Sequence, residues 1–186
     1  MNKKILVAGN ANYGLAKELY NLYPDATFMS RSTGYDLTSA EGQAKASALM
    51  LDCDIFINCS ALWKFNQTVL LDKLYKFAVE NNKCPYIICI GSTTDRVKKG
   101  GSWLYNAEKK ALRDYCNTLG IAGVWEGKPK VTLISYGSLS NVSEKHPTRT
   151  CLDITVAASY IKWLIDQPNY ICINEISIDP LQKLNE

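Results

Sequence analysis

Six short apolar runs punctuate the chain: KILVAG (4–9), ATFMS (26–30), DIFINC (54–59), YIICIG (86–91), VTLIS (131–135) and YICINEISI (170–178). Each is strand-length, and most are rich in Val and Ile, so each predicts a β-strand. Their apolar positions run on continuously instead of alternating, which predicts burial on both faces. A further short strand is expected at 34–36. Amphipathic stretches between the runs predict helices over 13–22, 38–51, 66–80, 103–119 and 152–165. The second opens on Thr38-Ser39-Ala40-Glu41, a capping-box pattern. The third sets Val69, Leu70, Leu74 and Phe77 on one side. A Gly-rich connection (GIAGVWEGKP) and a loop over 136–149 complete the chain. Strands alternating with helices imply right-handed crossovers and a parallel sheet covered on both sides. The expectation is one α/β domain over 1–186, with ligands at the carboxyl ends of its strands.

Composition narrows the function classes. Hydrophobic residues make up 47% of the chain and charged residues 21%, as in an ordinary globular domain. A net charge of +3, carried by scattered lysines, argues against a nucleic-acid partner. Seven cysteines (53, 59, 84, 89, 116, 151 and 172) form no Cys-x-x-Cys pair and are joined by one histidine, so no metal site is expected. An odd number of cysteines, several inside runs such as YIICI, reads as buried thiols in a reducing compartment. The stretch ILVAG is too short for a signal-peptide core, and no apolar run approaches the ~18 residues of a membrane span. A cytoplasmic protein without a membrane partner is expected.

Two places carry candidate chemistry. The first run ends in AGNANYGLAKEL, where Gly9 and Gly14 bracket a turn and Ala16 supplies a small residue for close helix–strand packing. Such a turn can present backbone N–H groups to a diphosphate, and it can equally be an ordinary turn. The second place is YNAEK (105–109), a tyrosine and a lysine four apart on one helix face. That spacing also occurs in YGLAK (13–17), where Lys17 is expected to point to solvent. What separates the two is Ser92, thirteen residues before Tyr105 and just beyond the strand YIICIG, where it can share a cleft with YNAEK.

At this point the chain resembles the short-chain dehydrogenase/reductase family. AGNANYGLA looks like the family's TGxxxGIG turn, NCSA (58–61) like its NNAG, and ISYG (134–137) like its ISPG. Ser92, Tyr105 and Lys109 match its catalytic Ser and YxxxK, and Asn66 its helix-borne asparagine. The resemblance implies a Rossmann-type doubly wound parallel sheet of about seven strands in the order 3-2-1-4-5-6-7. It implies an oxidoreductase interconverting a small carbonyl compound and its alcohol, working as a homodimer or homotetramer paired through two neighbouring helices. It implies Tyr105 as acid/base, Lys109 as its electrostatic tuner and a ribose ligand, Ser92 at the substrate oxygen, and Asn66 holding a relay water. It also implies dinucleotide contacts from Gly9, Asn10, Asn12, Tyr13, Gly14, Leu15, Ser30, Arg31, Asp36, Asn58, Ser60, Tyr136 and Gly137. A free tyrosine titrates near 10, so a lysine on the same face would help by favouring the phenolate. Taken singly, Ser92 is also a plausible strand-end turn residue and Asn66 a helix-start cap.

Cofactor choice turns on FMSRST, which has Arg31 and no acid where NAD enzymes carry Asp or Glu. A guanidinium suits a 2′-phosphate, so NADP(H) is favoured, with NAD(H) the alternative. The bland alternative for Arg31 is a solvated loop residue, and for Asp36, which matches an aspartate the family uses near the adenine, a turn residue before a helix.

Several features depart from the family pattern. Four residues separate Gly9 from Gly14 instead of three, so either the turn is longer or Asn10 takes a glycine's place at positive φ. Tyr136 replaces a proline, and the segment SLSNVSEKHPTRT is shorter than the family's substrate flap. The loop before Tyr105 offers Arg96, Lys98, Lys99 and Trp103 to an acidic or planar substrate, or simply to solvent. The irregular turn and short flap also suit a non-catalytic dinucleotide-binding module.

Overall fold

A computed structural model describes residues 3–97, 102–145 and 147–181. Its strands are β1 (Ile5–Ala8), β2 (Thr27–Met29), β3 (Ile55–Asn58), β4 (Tyr86–Ser92), β5 (Val131–Tyr136) and β6 (Glu175–Ile178). They form one parallel sheet in the order β2-β1-β3-β4-β5-β6. The register sets Ala8 against both Met29 and Asn58, and Tyr136 against both Ser92 and Ile178. The carboxyl ends therefore form a common edge, which includes Asn58 and Ser92.

Helices α1 (Gly14–Leu22) and α5 (Ile154–Ile165) cover one face of the sheet, and α2 (Ala40–Leu49), α3 (Asn66–Glu80) and α4 (Leu104–Glu126) the other. Period-two side-chain alternation splits the strands between two cores. Ile55, Ile57, Ile88 and Ile90 join α1 and α5, while Phe56, Ile87, Cys89 and Leu133 join α2, α3 and α4. All these strand positions are buried, as the continuous apolar runs predict.

The strand expected at 34–36 does not form, and the sheet has six strands instead of seven. Directly after β2 the chain enters a 3₁₀ turn, Arg31–Thr33, and spends its polar groups locally. The Ser30 N–H donates to Thr33 Oγ1 (2.9 Å), and the Thr33 and Tyr35 N–H groups donate to the Ser30 carbonyl (3.0 and 2.9 Å). The second helix is capped by Ser39, whose Oγ accepts the Gly42 N–H at 3.0 Å. Thr38 instead donates its hydroxyl to Asp36 Oδ1 (2.6 Å).

The largest departure lies in α4, predicted to end near 119 but continuing to Glu126. Its late glycines are packing positions instead of loop residues. A Cβ at Gly123 would sit 2.8 Å from the Pro129 carbonyl oxygen, so only glycine lets the chain fold back this closely into β5. The last strand is shorter than predicted, since only Glu175–Ile178 pairs as a strand. The buried face of α3 is also rotated from the expected one: it carries Gln67, Leu70, Leu71, Leu74, Tyr75 and Ala78, and leaves Val69 exposed.

Candidate active site

Three strand ends and two helix starts build the site. Ser92 closes β4 and caps the following 3₁₀ turn, its Oγ accepting from the Thr94 N–H (3.4 Å) and bonding the Thr94 hydroxyl (3.1 Å). The Asn106 amide donates to the carbonyls of Thr94 and Val97, which ties the start of α4 to that turn. Tyr105 and Lys109 then share a face of α4, with Nζ 5.6 Å from the phenol ring centroid. The Ser92 side chain is near enough to the Tyr105 phenol to favour its ionised form. The structure thus brings Ser92, Tyr105 and Lys109 together.

Burial raises the Tyr105 phenol above its ordinary value, the nearby Ser92 side chain pulls it back, and the Glu108 carboxylate adds to the rise. This differs from the lowered phenol that the resemblance implies. The reason is visible in Lys109, which is 6% exposed and whose ammonium turns to Gln67 Oε1 (2.7 Å) and the Ile90 carbonyl (3.3 Å). Burial brings the Lys109 amine down to about 8, against opposing contributions from Cys59, Cys89, Glu108 and Cys116.

Asn66 stands apart from this group. It is the first residue of α3, and its amide donates to the Trp63 carbonyl at 2.7 Å, the helix-start role. The side chain at the lysine is that of the next residue, Gln67. Its Nε2 donates to the carbonyls of Asn58 (3.1 Å), at the end of β3, and Ile90 (3.0 Å), two residues before the end of β4. Asn58 returns a bond from Nδ2 to the Gln67 carbonyl (3.1 Å), leaving its own buried Oδ1 without a hydrogen-bond partner among the described residues. Ser60, half-buried, begins the loop that follows and accepts the Leu62 N–H at 3.0 Å.

That loop lies against the tyrosine. The Trp63 and Tyr105 rings are 5.5 Å apart at 52°, and Lys64 and Phe65 both take left-handed backbone conformations, with φ of 59° and 61°. Non-glycine residues in that region are strained, and two in succession must be held by their surroundings. The buried Glu108 carboxylate helps to hold them, accepting the Lys64 N–H at 2.6 Å. Trp63, Gln67 and Glu108 escape motif reading. The signal available for Gln67 and Glu108 is a polar residue on the buried stripe of a helix: Gln67 with Leu70, Leu71 and Leu74, Glu108 with Leu112 and Cys116.

The glycine turn keeps its shape by local bonds. Asn10 is absent from the residues of positive φ, so it does not stand in for a glycine. Its side chain accepts the Asn12 N–H (3.0 Å) and its carbonyl the Tyr13 N–H (3.0 Å), making the longer turn. A Cβ on Gly9 would come within 2.8 Å of the Ala16 Cβ, so this pair sets how closely α1 approaches β1. Gly14 opens α1 at φ +59°, Leu15 is buried, and Tyr13 provides no side-chain cap. The first-turn N–H groups of α1 stand at the carboxyl edge without a side-chain cap from Tyr13, the kind of helix start at which an anion can be held. Lys17 is exposed, as expected of the second Tyr-x-x-x-Lys.

The remaining predicted contacts divide. Ser30 and the exposed Arg31 lie at the carboxyl end of β2, with Ser30 Oγ 2.8 Å from Ser32 Oγ. Asp36 accepts from the Thr38 hydroxyl and N–H, which hold its carboxyl below the usual value, helped by Arg31. Tyr136 turns into the core, where its hydroxyl donates to the Ala157 carbonyl of α5 (2.6 Å) and burial raises its phenol far above the ordinary value. Its ring is therefore a core residue, and Gly137 pairs its N–H with the Ile178 carbonyl (2.9 Å). Arg96 is engaged by Glu175 (3.2 Å), which Arg113 also grips at 3.0 Å. Lys98 and Lys99 lie outside the described residues.

These features define a Rossmann-type α/β domain with a Ser-Tyr-Lys cluster at the carboxyl edge of its sheet. The fold is that of the short-chain dehydrogenases/reductases. A short-chain dehydrogenase from Burkholderia cenocepacia J2315 in complex with NADP is similar over 94% of this chain and 87% of its own, at TM-score 0.77 and 15% identity. Serine dehydrogenase complexed with NADP+ is similar over 98% of both chains, at TM-score 0.73 and 16% identity. 4-Hydroxyisoleucine dehydrogenase complexed with NADH is similar over 95% of this chain and 96% of its own, at TM-score 0.72 and 16% identity. No family model and no curated protein matches the sequence.

Proposed function

We propose that the protein is an NADP(H)-dependent oxidoreductase that interconverts a small carbonyl compound and its alcohol. The observation that carries this reading is Lys109 Nζ 5.6 Å from the Tyr105 ring on one helix face, with Ser92 at the neighbouring strand end favouring the phenolate. The uncapped start of α1 with Gly9 to Leu15 would hold the diphosphate, and Ser30 and Arg31 would take a 2′-phosphate. The bound dinucleotide supplies or accepts the hydride. Tyr105 exchanges the proton with the substrate oxygen, and Ser92 holds that oxygen and the phenol in one line. A phenol raised by burial is a proton donor at neutral pH, which suits carbonyl reduction. Pairing of copies through α3 and α4 fits the apolar residues these helices expose: Val69 on the first, and Ile121, Val124 and Trp125 on the second.

A second reading, a dinucleotide-binding module without turnover, is favoured by Trp63 against Tyr105 and by the inward turn of the Lys109 ammonium. Fluorescence titration with NADPH and NADH, followed by a panel of small aldehydes and ketones, separates the two. Binding with turnover that Tyr105→Phe lowers at least ~100-fold supports the enzyme. Binding without turnover supports the module, and failure to bind either dinucleotide overturns both.

A further inference from the structure

The buried stripe of α3 is apolar except at its first position, Gln67, which is 5% exposed. An amide so buried is costly unless every polar atom is used. Here its Nε2 spans the carbonyls that end β3 and approach the end of β4, and Oε1 accepts the Lys109 ammonium. Three elements that reach the site by separate crossovers are thereby joined through one side chain.

We propose that Gln67 is the positioning residue of this site: its amide locks the Lys109 ammonium directly to the ends of β3 and β4. The contact between Gln67 Oε1 and that ammonium is direct, one hydrogen bond of 2.7 Å with no water between the two atoms. Asn66, one residue earlier, is committed to the Trp63 carbonyl. The inference rests on the reading of Tyr105 and Lys109 as a catalytic pair.

The amide oxygen favours the charged amine against burial. The other groups facing Lys109 are the Cys59, Cys89 and Cys116 thiols, the Glu108 carboxylate and the Tyr105 ring. Beside them, Gln67 Oε1 and the Ile90 carbonyl are its direct acceptors. Removing the amide at constant volume and replacing it by a carboxylate should therefore move the amine in opposite directions. A purely structural role would move it in neither.

The test uses the full chain and the variants Gln67→Met and Gln67→Glu. Lys109 is titrated by NMR on 13C-lysine protein, assigned with Lys109→Arg. Gln67→Met should lower the Lys109 titration by about one pH unit and Gln67→Glu should raise it by about as much, the size expected for a hydrogen bond to a charged group. The alkaline limb of kcat should follow the same shifts, with KM for the dinucleotide within about twofold of the parent. Unchanged Lys109 titration in both variants, or equal displacement in the same direction, would overturn the proposal. If Gln67→Met fails to fold, the upward shift in Gln67→Glu alone decides. A parent protein that binds dinucleotide without turnover would sink the enzymatic reading, while the NMR titration would still judge the Gln67–Lys109 lock.

Discussion

The Glu108 carboxylate accepts the backbone N–H of Lys64 at 2.6 Å, and this bond brings the loop after β3 down onto the helix that carries Tyr105. One residue from Lys109 and three from Tyr105, Glu108 therefore acts in two ways. It holds a pair of left-handed non-glycine residues, and its charge opposes the phenolate of Tyr105.

Neutralising that charge without changing the shape should free the tyrosine. In Glu108→Gln the side-chain oxygen can still accept the Lys64 N–H, so the loop stays in place. The Tyr105 phenol should titrate lower by roughly half a pH unit or more, as for removal of a nearby like charge. Ultraviolet difference titration against Tyr105→Phe reads this directly. An unmoved Tyr105 titration would show that the carboxylate is screened from the phenol.

Lys109, of the proposed catalytic pair, should link activity to stability with opposite signs. Its amine titrates near 8 in the folded chain, against an ordinary 10.5. Between those values the unfolded chain binds the extra proton, so this group makes stability rise with pH from about 8 to about 10.5. Below pH 8 the buried charge costs stability. Lys109→Met should therefore raise stability at pH 7 by about 1–3 kcal/mol while abolishing turnover, and the gain should vanish near pH 10.5. Urea unfolding of both proteins at the two pH values checks it. Equal stabilities at pH 7 would mean that the two acceptors fully compensate the burial.

Arg31 should discriminate between dinucleotides. Arg31→Ala is expected to weaken NADPH binding about tenfold or more, the loss of one charge-assisted phosphate contact, while leaving NADH binding within about twofold. Parallel fluorescence titrations measure both. Equal weakening of the two would place Arg31 away from the 2′-phosphate.

Gly123 offers a stability test far from the chemistry. On helix propensity alone, alanine would gain about 1 kcal/mol. The 2.8 Å approach to the Pro129 carbonyl reverses that sign, so Gly123→Ala should destabilise by about 1–2 kcal/mol in urea unfolding. A stabilised variant would mean that the turn into β5 relaxes freely.

The linear chain determined what depends on local pattern. Continuous Val and Ile runs announced strands buried on both faces, and their alternation with amphipathic stretches announced a parallel, helix-covered sheet. Ser92, Tyr105 and Lys109 were legible because their spacing, set by one strand end and one helix face, survives folding unchanged. Tertiary structure decided the rest. Whether 34–36 joined the sheet depended on the turn Ser30 makes with Thr33, and how far α4 ran depended on which backbone Gly123 approaches. Gln67 and Glu108 gained their partners only when α3, α4 and two strand ends were packed together, through contacts 42 and 44 residues apart in the chain. Motif spacing encodes which residues share a face; which side chain then fills a shared interior is a property of the assembled layers.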